Sequence, residues 1–359
     1  VPEDAADAAL AEIQRGKLTY PFATVPQAGE ALAIAPGVLW LRMPLSGPLG
    51  HINCWALEDE GGWTLVDTGL GHPETLAAWE TVLAGPLGGR PVKRVIVTHL
   101  HPDHVGAAGW LTRRFGVRMW MTRLEYLTCR VMAGDTGREP PPEALAFYRG
   151  AGWSESDLAA YCERFGRFGS LMQPLPDSYQ RIADGDVLTI GGREWRVVVG
   201  CGHSPEHACL WAPDLQVIIT GDQVLPRISS NVAVYALEPE ANPLREWLTS
   251  LARLRSIVPD DVLALPSHNE PFRGLHARIG HLIDGHERGL DRLREALVEP
   301  KRAVDIFPLL FRRTVDKSLI GFATGESLAH LHYLRDLGEA QRTQDETGVD
   351  WWRAAGAQA

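Results

Sequence analysis

The stretch Thr98-His99-Leu100-His101-Pro102-Asp103-His104 constrains this chain more than any other. It puts four ligand-type side chains next to a segment that reads as a strand. Imidazole and carboxylate are the donors that borderline-soft divalent cations prefer. Val92 to Val97 is short and rich in valine and isoleucine, which suits a buried strand. His99 and His101 then lie just past a strand end and can point the same way. Pro102 and Asp103 resemble a helix start, with proline in the first turn and an acidic residue near the positive end of the dipole. Asp103 and His104 therefore leave in another direction, so one short peptide can feed two adjacent cations. A solvated loop of four polar residues is the plain alternative, and it leaves the spacing unexplained.

Three more donors follow strand-like runs. Val197 to Val199 precedes His203, Val217 to Ile219 precedes Asp222, and Val262 to Leu265 precedes His268. A lone histidine after a strand is usually a hydrogen-bonded loop residue. The weight comes from the recurrence of such residues at one edge of a sheet. Seven donors are enough for two ions.

In this order the residues resemble the metallo-β-lactamase fold superfamily over roughly residues 37 to 285. Its pattern of an early Asp, then HxHxDH, His, Asp and His is met by Asp67, His99, His101, Asp103, His104, His203, Asp222 and His268. The resemblance implies an α/β protein with the four-layer αββα arrangement. It implies that His99, His101 and His203 hold one metal, that Asp103, His104 and His268 hold a second, and that Asp222 bridges them. Asp67 matches the family's supporting aspartate, which can orient a ligand imidazole through its other ring nitrogen. The best-known true β-lactamases carry cysteine where Asp222 stands, and diiron flavoproteins carry Glu where His101 stands. Nucleases with a large inserted domain need far more than the 46 positions between Asp222 and His268. The glyoxalase II-like branch remains, with its lactonase, thioesterase and RNA-processing relatives.

Composition bears on the substrate. The net charge is −10, whereas a nuclease usually carries a basic stripe against phosphates. Arg113-Arg114 and Arg312-Arg313 are isolated pairs in amphipathic contexts. Nucleic acid is thus disfavoured as a partner, and a small molecule is expected. Five cysteines without CxxC spacing read as reduced and structural. Cys201 lies two residues from His203, but His203 already completes the ligand set. No apolar run is long enough for a membrane span, and the start Val1-Pro2-Glu3-Asp4 lacks a leader pattern, so a cytoplasmic enzyme is expected.

The expected organisation is a catalytic domain over 1–297, with a helical insertion at 122–181, and a C-terminal domain over 298–359. Apolar spacing predicts three short helices in the insertion, at 124–132, 142–148 and 154–168. A lid over the substrate pocket is expected there, with Tyr126, Phe147, Tyr148, Trp153 and Phe168 suited to an organic acyl group. In the tail, the apolar stripe from Ile279 to Leu297 predicts a long helix. Two more helices are expected at 303–311 and 327–337, the second ending at Gly338, with a hairpin over 341–352. Together these resemble a winged-helix-like tail. Residues 301–359 hold 8 Lys+Arg and 8 Asp+Glu, so packing or homodimer formation suits this tail better than reading DNA.

The expected function is a binuclear metal-dependent hydrolase that uses a metal-bridging hydroxide on a small thioester, ester or lactone. The alternative is a phosphodiesterase or endoribonuclease acting on RNA. Two divalent ions are expected, zinc first, with iron and manganese compatible. Asp103 and Asp222 are the candidate catalytic carboxylates. His207, Ser229, Ser230 and Asn231 are candidate pocket residues.

Overall fold

The computed structural model describes residues 13–15 and 17–356. A small hairpin, β1 (Ile13–Arg15) and β2 (Leu18–Tyr20), precedes a seven-stranded sheet. Its first four strands, β3 (Ala31–Ala35), β4 (Val38–Pro44), β5 (His51–Asp59) and β6 (Gly62–Val66), form an antiparallel meander. Helix α1 (Pro73–Ala84) then crosses to β7 (Val92–Ile96), which runs parallel to β6. Two short helices, α2 (Pro102–Val105) and α3 (Ala108–Phe115), lead to β8 (Met119–Met121).

The insertion contains α4 (Arg123–Gly134), α5 (Pro142–Gly150) and α6 (Glu155–Arg164) before β9 (Gln180–Arg181) closes this sheet. A second sheet follows in simple chain order: β10 (Val187–Ile190), β11 (Arg193–Gly200), β12 (His207–Ala212), β13 (Val217–Gly221) and β14 (Leu263–Pro266). Helix α7 (Pro243–Ile257) connects β13 to β14, which pair in parallel. The chain then enters α8 (Leu275–Ala296), the short α9 (Phe307–Leu310), α10 (Ile320–Asp336) and a hairpin of β15 (Ala340–Gln344) and β16 (Asp350–Ala354).

Side-chain alternation along the strands makes the layers. On β5, Ile52, Cys54 and Ala56 face α1, α3 and α4, while Trp55 and Leu57 face the other sheet. On β12, Ala208, Leu210 and Ala212 point between the sheets, and Cys209 points toward α7 and α8. A period of two on strands buried on both faces requires cover on both sides. Helices, sheet, sheet and helices therefore stack in four layers, the αββα arrangement of an α/β protein.

The aromatics named in the insertion sit in or against hydrophobic cores. Tyr126, on the inner face of α4, is buried in the core of the first sheet, and Phe168 packs against that core. Tyr148 and Trp153 are buried in the core that α7, α8 and the tail share, with Phe147 packed against it. The Trp153 indole N–H also donates to Thr324 Oγ1 on α10 at 2.8 Å. These aromatics fill cores rather than line an acyl pocket, a correction to their expected role. The three-residue spacing that marks a helix face cannot distinguish a pocket wall from a seam between helices.

In the tail, the helix expected at 303–311 is broken into a 3-10 turn at 303–306 and α9. Helix α10 starts seven residues earlier than its apolar stripe suggested. Among the described residues, no helix is long and apolar enough to cross a membrane.

Candidate metal centre

Parallel pairing puts the carboxyl ends of β6 and β7 at one edge of the first sheet, and those of β13 and β14 at one edge of the second. Such edges are where open α/β sheets present functional loops. Asp67 follows β6, His99 and His101 follow β7, Asp222 follows β13, and His268 follows β14. His203 lies in the turn between β11 and β12.

These loops bring seven donors together. One ligand atom from each of His99, His101, His203 and Asp222 forms one cluster, and Asp103, His104 and His268 form another, with atoms in each group within 4.8 Å. His99 Nε2 and His101 Nδ1 are 2.9 Å apart. Asp222 lies between the groups: Oδ2 is 3.4 Å from His203 Nε2 and 3.6 Å from His104 Nε2, and Oδ1 is 3.6 Å from His268 Nε2. His268 Nε2 also lies 3.4 Å from Asp103 Oδ2. His104 Nε2, His203 Nε2 and Asp222 Oδ1 are buried without a hydrogen-bond partner. Buried polar atoms of this kind are costly unless something pairs with them. Their convergence fits a cation.

Three of the imidazoles are aimed by their other nitrogen. His104 Nδ1 meets Asp67 Oδ2 at 2.8 Å. His203 Nδ1 donates to the Asn231 carbonyl at 2.8 Å, and His268 Nδ1 to the His51 carbonyl at 3.1 Å. Such partners fix the tautomer and leave Nε2 free to ligate. Asp67 itself sits at φ 60°, and its Oδ1 accepts the Thr98 N–H at 2.8 Å.

The loops are tied down by groups outside the ligand set. Asn53 on β5 donates through Nδ2 to the carbonyls of Pro266 and Asn269, which holds the His268 turn against the first sheet. Glu125 on α4 is fully buried; its carboxylate accepts the Leu100 N–H at 2.9 Å and the Glu206 N–H at 2.7 Å. One side chain of the insertion thus braces both the His99/His101 loop and the His203 loop. Gly202 needs its φ of 99°, and a Cβ there would stand 2.5 Å from the Pro243 carbonyl oxygen.

Among the expected pocket residues, His207 is fully buried, and its Nε2 accepts the Asp222 N–H at 3.0 Å. It braces the Asp222 turn from below rather than facing a pocket. Ser230 is buried, with its hydroxyl donating to the Asp222 carbonyl. Ser229 is exposed, and Asn231 stands behind His203. Glu125, Asn53 and His51 were missed by sequence reasoning. Only Glu125 left a signal, a carboxylate four residues before Cys129 on the buried face of α4.

The electrostatics differ between the two clusters. Burial and then the neighbouring imidazoles, His104 first, push His99 well toward its neutral form. His101 is lowered to about 3 by burial and then by His203. Burial opposes ionisation of Asp103 and Asp222, but the surrounding histidines outweigh it, and Asp103 falls to about 2. At the other cluster burial also disfavours charge, but Asp67, Asp103 and Asp222 outweigh it and hold His104 well above the ordinary imidazole range, and Asp222 with Asp103 raises His268, so a cation arriving there must displace protons from these two rings.

Comparison with known proteins agrees with this geometry. The family described as the Metallo-beta-lactamase superfamily matches residues 47–268. The chain belongs to the metallo-beta-lactamase superfamily. A second description, Metallo-beta-lactamase-like, C-terminal domain, matches residues 290–355. A crystal structure of a beta-lactamase domain protein from Burkholderia ambifaria is 42% identical, with a TM-score of 0.87 over 94% of this chain and 98% of that one. A metallo-beta-lactamase family protein from Thermus thermophilus is 30% identical, with a TM-score of 0.74 over 90% of this chain and all of that one. An atrochrysone carboxyl ACP thioesterase from Aspergillus fumigatus is 25% identical over 66% of this chain, which spans 42% of that relative's length. By family, the chain is a superfamily hydrolase.

Proposed function

We propose that the centre holds two divalent metal ions and hydrolyses a small acyl compound, a thioester before an ester or lactone. The carrying observation is the convergence of seven donors around three buried, unpartnered ligand atoms. In this reading His99, His101 and His203 hold one ion, Asp103, His104 and His268 the other, and Asp222 reaches both. Ions bound there supply Lewis-acid polarisation of substrate oxygen and lower the pKa of water. Zinc suits the imidazole-rich set, and iron and manganese are chemically compatible.

The protein's own part is placement. Asp67, Asn231 and the His51 carbonyl aim the imidazoles, and His207 with Ser230 holds the Asp222 turn. Asp103 and Asp222 are kept ionised by their neighbours, so they are suited to orient a water and hold charge more than to carry a proton. No serine or cysteine nucleophile is required.

The thioester preference is supported by the thioesterase names of the fungal relatives and by the net charge of −10, which disfavours a polyanion. The test is elemental analysis of protein purified without chelator, followed by assays on acyl thioesters, esters, lactones and single-stranded RNA. Two ions per chain with metal-dependent acyl hydrolysis is the expected result. One ion or none after metal supplementation defeats the binuclear reading. RNA cleavage without acyl hydrolysis defeats the substrate class.

A further inference from the structure

Helix α10 of the tail lies against the irregular segment 222–242 that follows Asp222. The contact is close. A Cβ at Gly325 would stand 2.7 Å from the Ala233 Cβ and 2.9 Å from the Val234 carbonyl oxygen, and the Val234 N–H donates to the Gly325 carbonyl at 3.0 Å. Further along, His332 Nδ1 pairs with the Ala241 carbonyl at 2.8 Å. The helix therefore clamps this segment at several points.

One of these points leads to the metal centre. Asn231 accepts the His203 Nδ1–H at its backbone carbonyl, and its side-chain Nδ2 donates to Glu326 Oε2 at 3.1 Å and to the Phe322 carbonyl at 3.4 Å. The helix is itself held at this level. His330 Nδ1 donates to the Glu326 carbonyl at 2.8 Å, and its Nε2 meets His286 Nδ1 of α8 at 3.2 Å. A carbonyl in a long irregular loop aims an imidazole well only if the loop is fixed, and the tether to Glu326 is a side-chain contact that fixes it. Burial pushes the Glu326 carboxyl up to about 7, with the Asn231 amide opposing.

We propose that Glu326 is a positioning residue of the metal centre, acting through Asn231 to hold the carbonyl that orients His203. The tail is then a working part of the centre. The proposal rests on the reading of His203 as a ligand.

The test measures zinc affinity by chelator competition for the full chain and for Glu326→Leu, Glu326→Gln, Asn231→Ala and the Glu326→Leu/Asn231→Ala double variant. Glu326→Leu removes the acceptor and is expected to weaken zinc about tenfold or more, as loss of such supporting groups does. Glu326→Gln keeps an acceptor oxygen and should stay within about threefold of the wild type, since the interaction it preserves is a single hydrogen bond. Asn231→Ala keeps the backbone carbonyl but loses the tether, so it should match Glu326→Leu, and the double variant should be no worse than either. Wild-type zinc affinity in Glu326→Leu, equal weakening in Glu326→Gln, or additive losses would each overturn the proposal. Should Glu326→Leu fail to fold, wild-type affinity in Asn231→Ala overturns it instead. A wild type that takes up no zinc defeats the reading of the centre; a zinc-binding wild type with unaffected variants defeats only the role of Glu326.

Discussion

Replacing Glu125 by leucine tests the brace between the two metal-binding loops. The substitution keeps apolar bulk but leaves the buried Leu100 N–H and the partly buried Glu206 N–H without their acceptor. Each such group costs about 1–3 kcal/mol, so the loss is about 2–6 kcal/mol. The carboxylate also carries a cost of its own, because burial raises its pKa from 4.5 to about 7. That shift corresponds to about 3 kcal/mol of pH-dependent stability. Its sign follows from proton counting. Between pH 4.5 and 7 the folded state keeps a proton that the unfolded state has released, so the wild type loses stability as pH rises. This contribution is fully present below 4.5 and gone above about 7. The leucine variant lacks that slope. Its deficit should therefore be largest near pH 5 and shrink by about 3 kcal/mol toward pH 8. Urea unfolding of metal-free wild type and variant, compared at each pH, removes the titrations that both proteins share. A gap that is flat or widens between pH 5 and 8 would refute the reasoning, as would a variant as stable as the wild type at pH 5.

Asp222→Ala removes the carboxylate that lies within 4.0 Å of His99, His104, His203 and His268; it should lower metal occupancy and abolish most turnover, read by elemental analysis and by the acyl assay. Asp67→Asn can present an amide N–H to His104 Nδ1 and disturb the tautomer that leaves Nε2 free, so zinc affinity should fall about 10–100-fold in chelator competition. Gly221→Ala places a Cβ 2.4 Å from the His207 ring at a φ of 54°. The Asp222 turn should be displaced, with metal occupancy falling alongside the thermal midpoint.

The sequence exposed donors and strands unevenly, for physical reasons. His99, His101, Asp103 and His104 are legible because a strand end and a helix start fix their directions within one short peptide. The four layers were implied by the resemblance alone, because β5 and β12 are buried on both faces and their residues show no apolar–polar alternation. Apart from Asp67, which pairs with His104 Nδ1, what supports the donors was not legible. Asn53 reaches the Pro266 carbonyl across 213 positions, and Glu125 reaches the Glu206 N–H across 81. Nothing local to Asn53 marks it as different from any polar residue on a strand. The aromatics of the insertion were misread because apolar spacing reports a buried helix face and not what buries it. Tyr148 and Trp153 are buried by the tail, more than 140 positions further on.

That distance bears on how the centre is stabilised. The ligands come from both sheets, and ionised carboxylates packed among imidazoles are expensive to hold in one place before a cation arrives. The cost is met by groups that ligate nothing. Asp67 and Asn53 come from the first sheet, Glu125 from the insertion, His207 from the second sheet, and Asn231 from a loop that the tail helix clamps. Each fixes a ligand or a ligand-bearing turn through one or two hydrogen bonds, and they lie in different parts of the chain. Damage to any one should therefore be felt at the metal, even where, as at Glu125, it also lowers the stability of the fold.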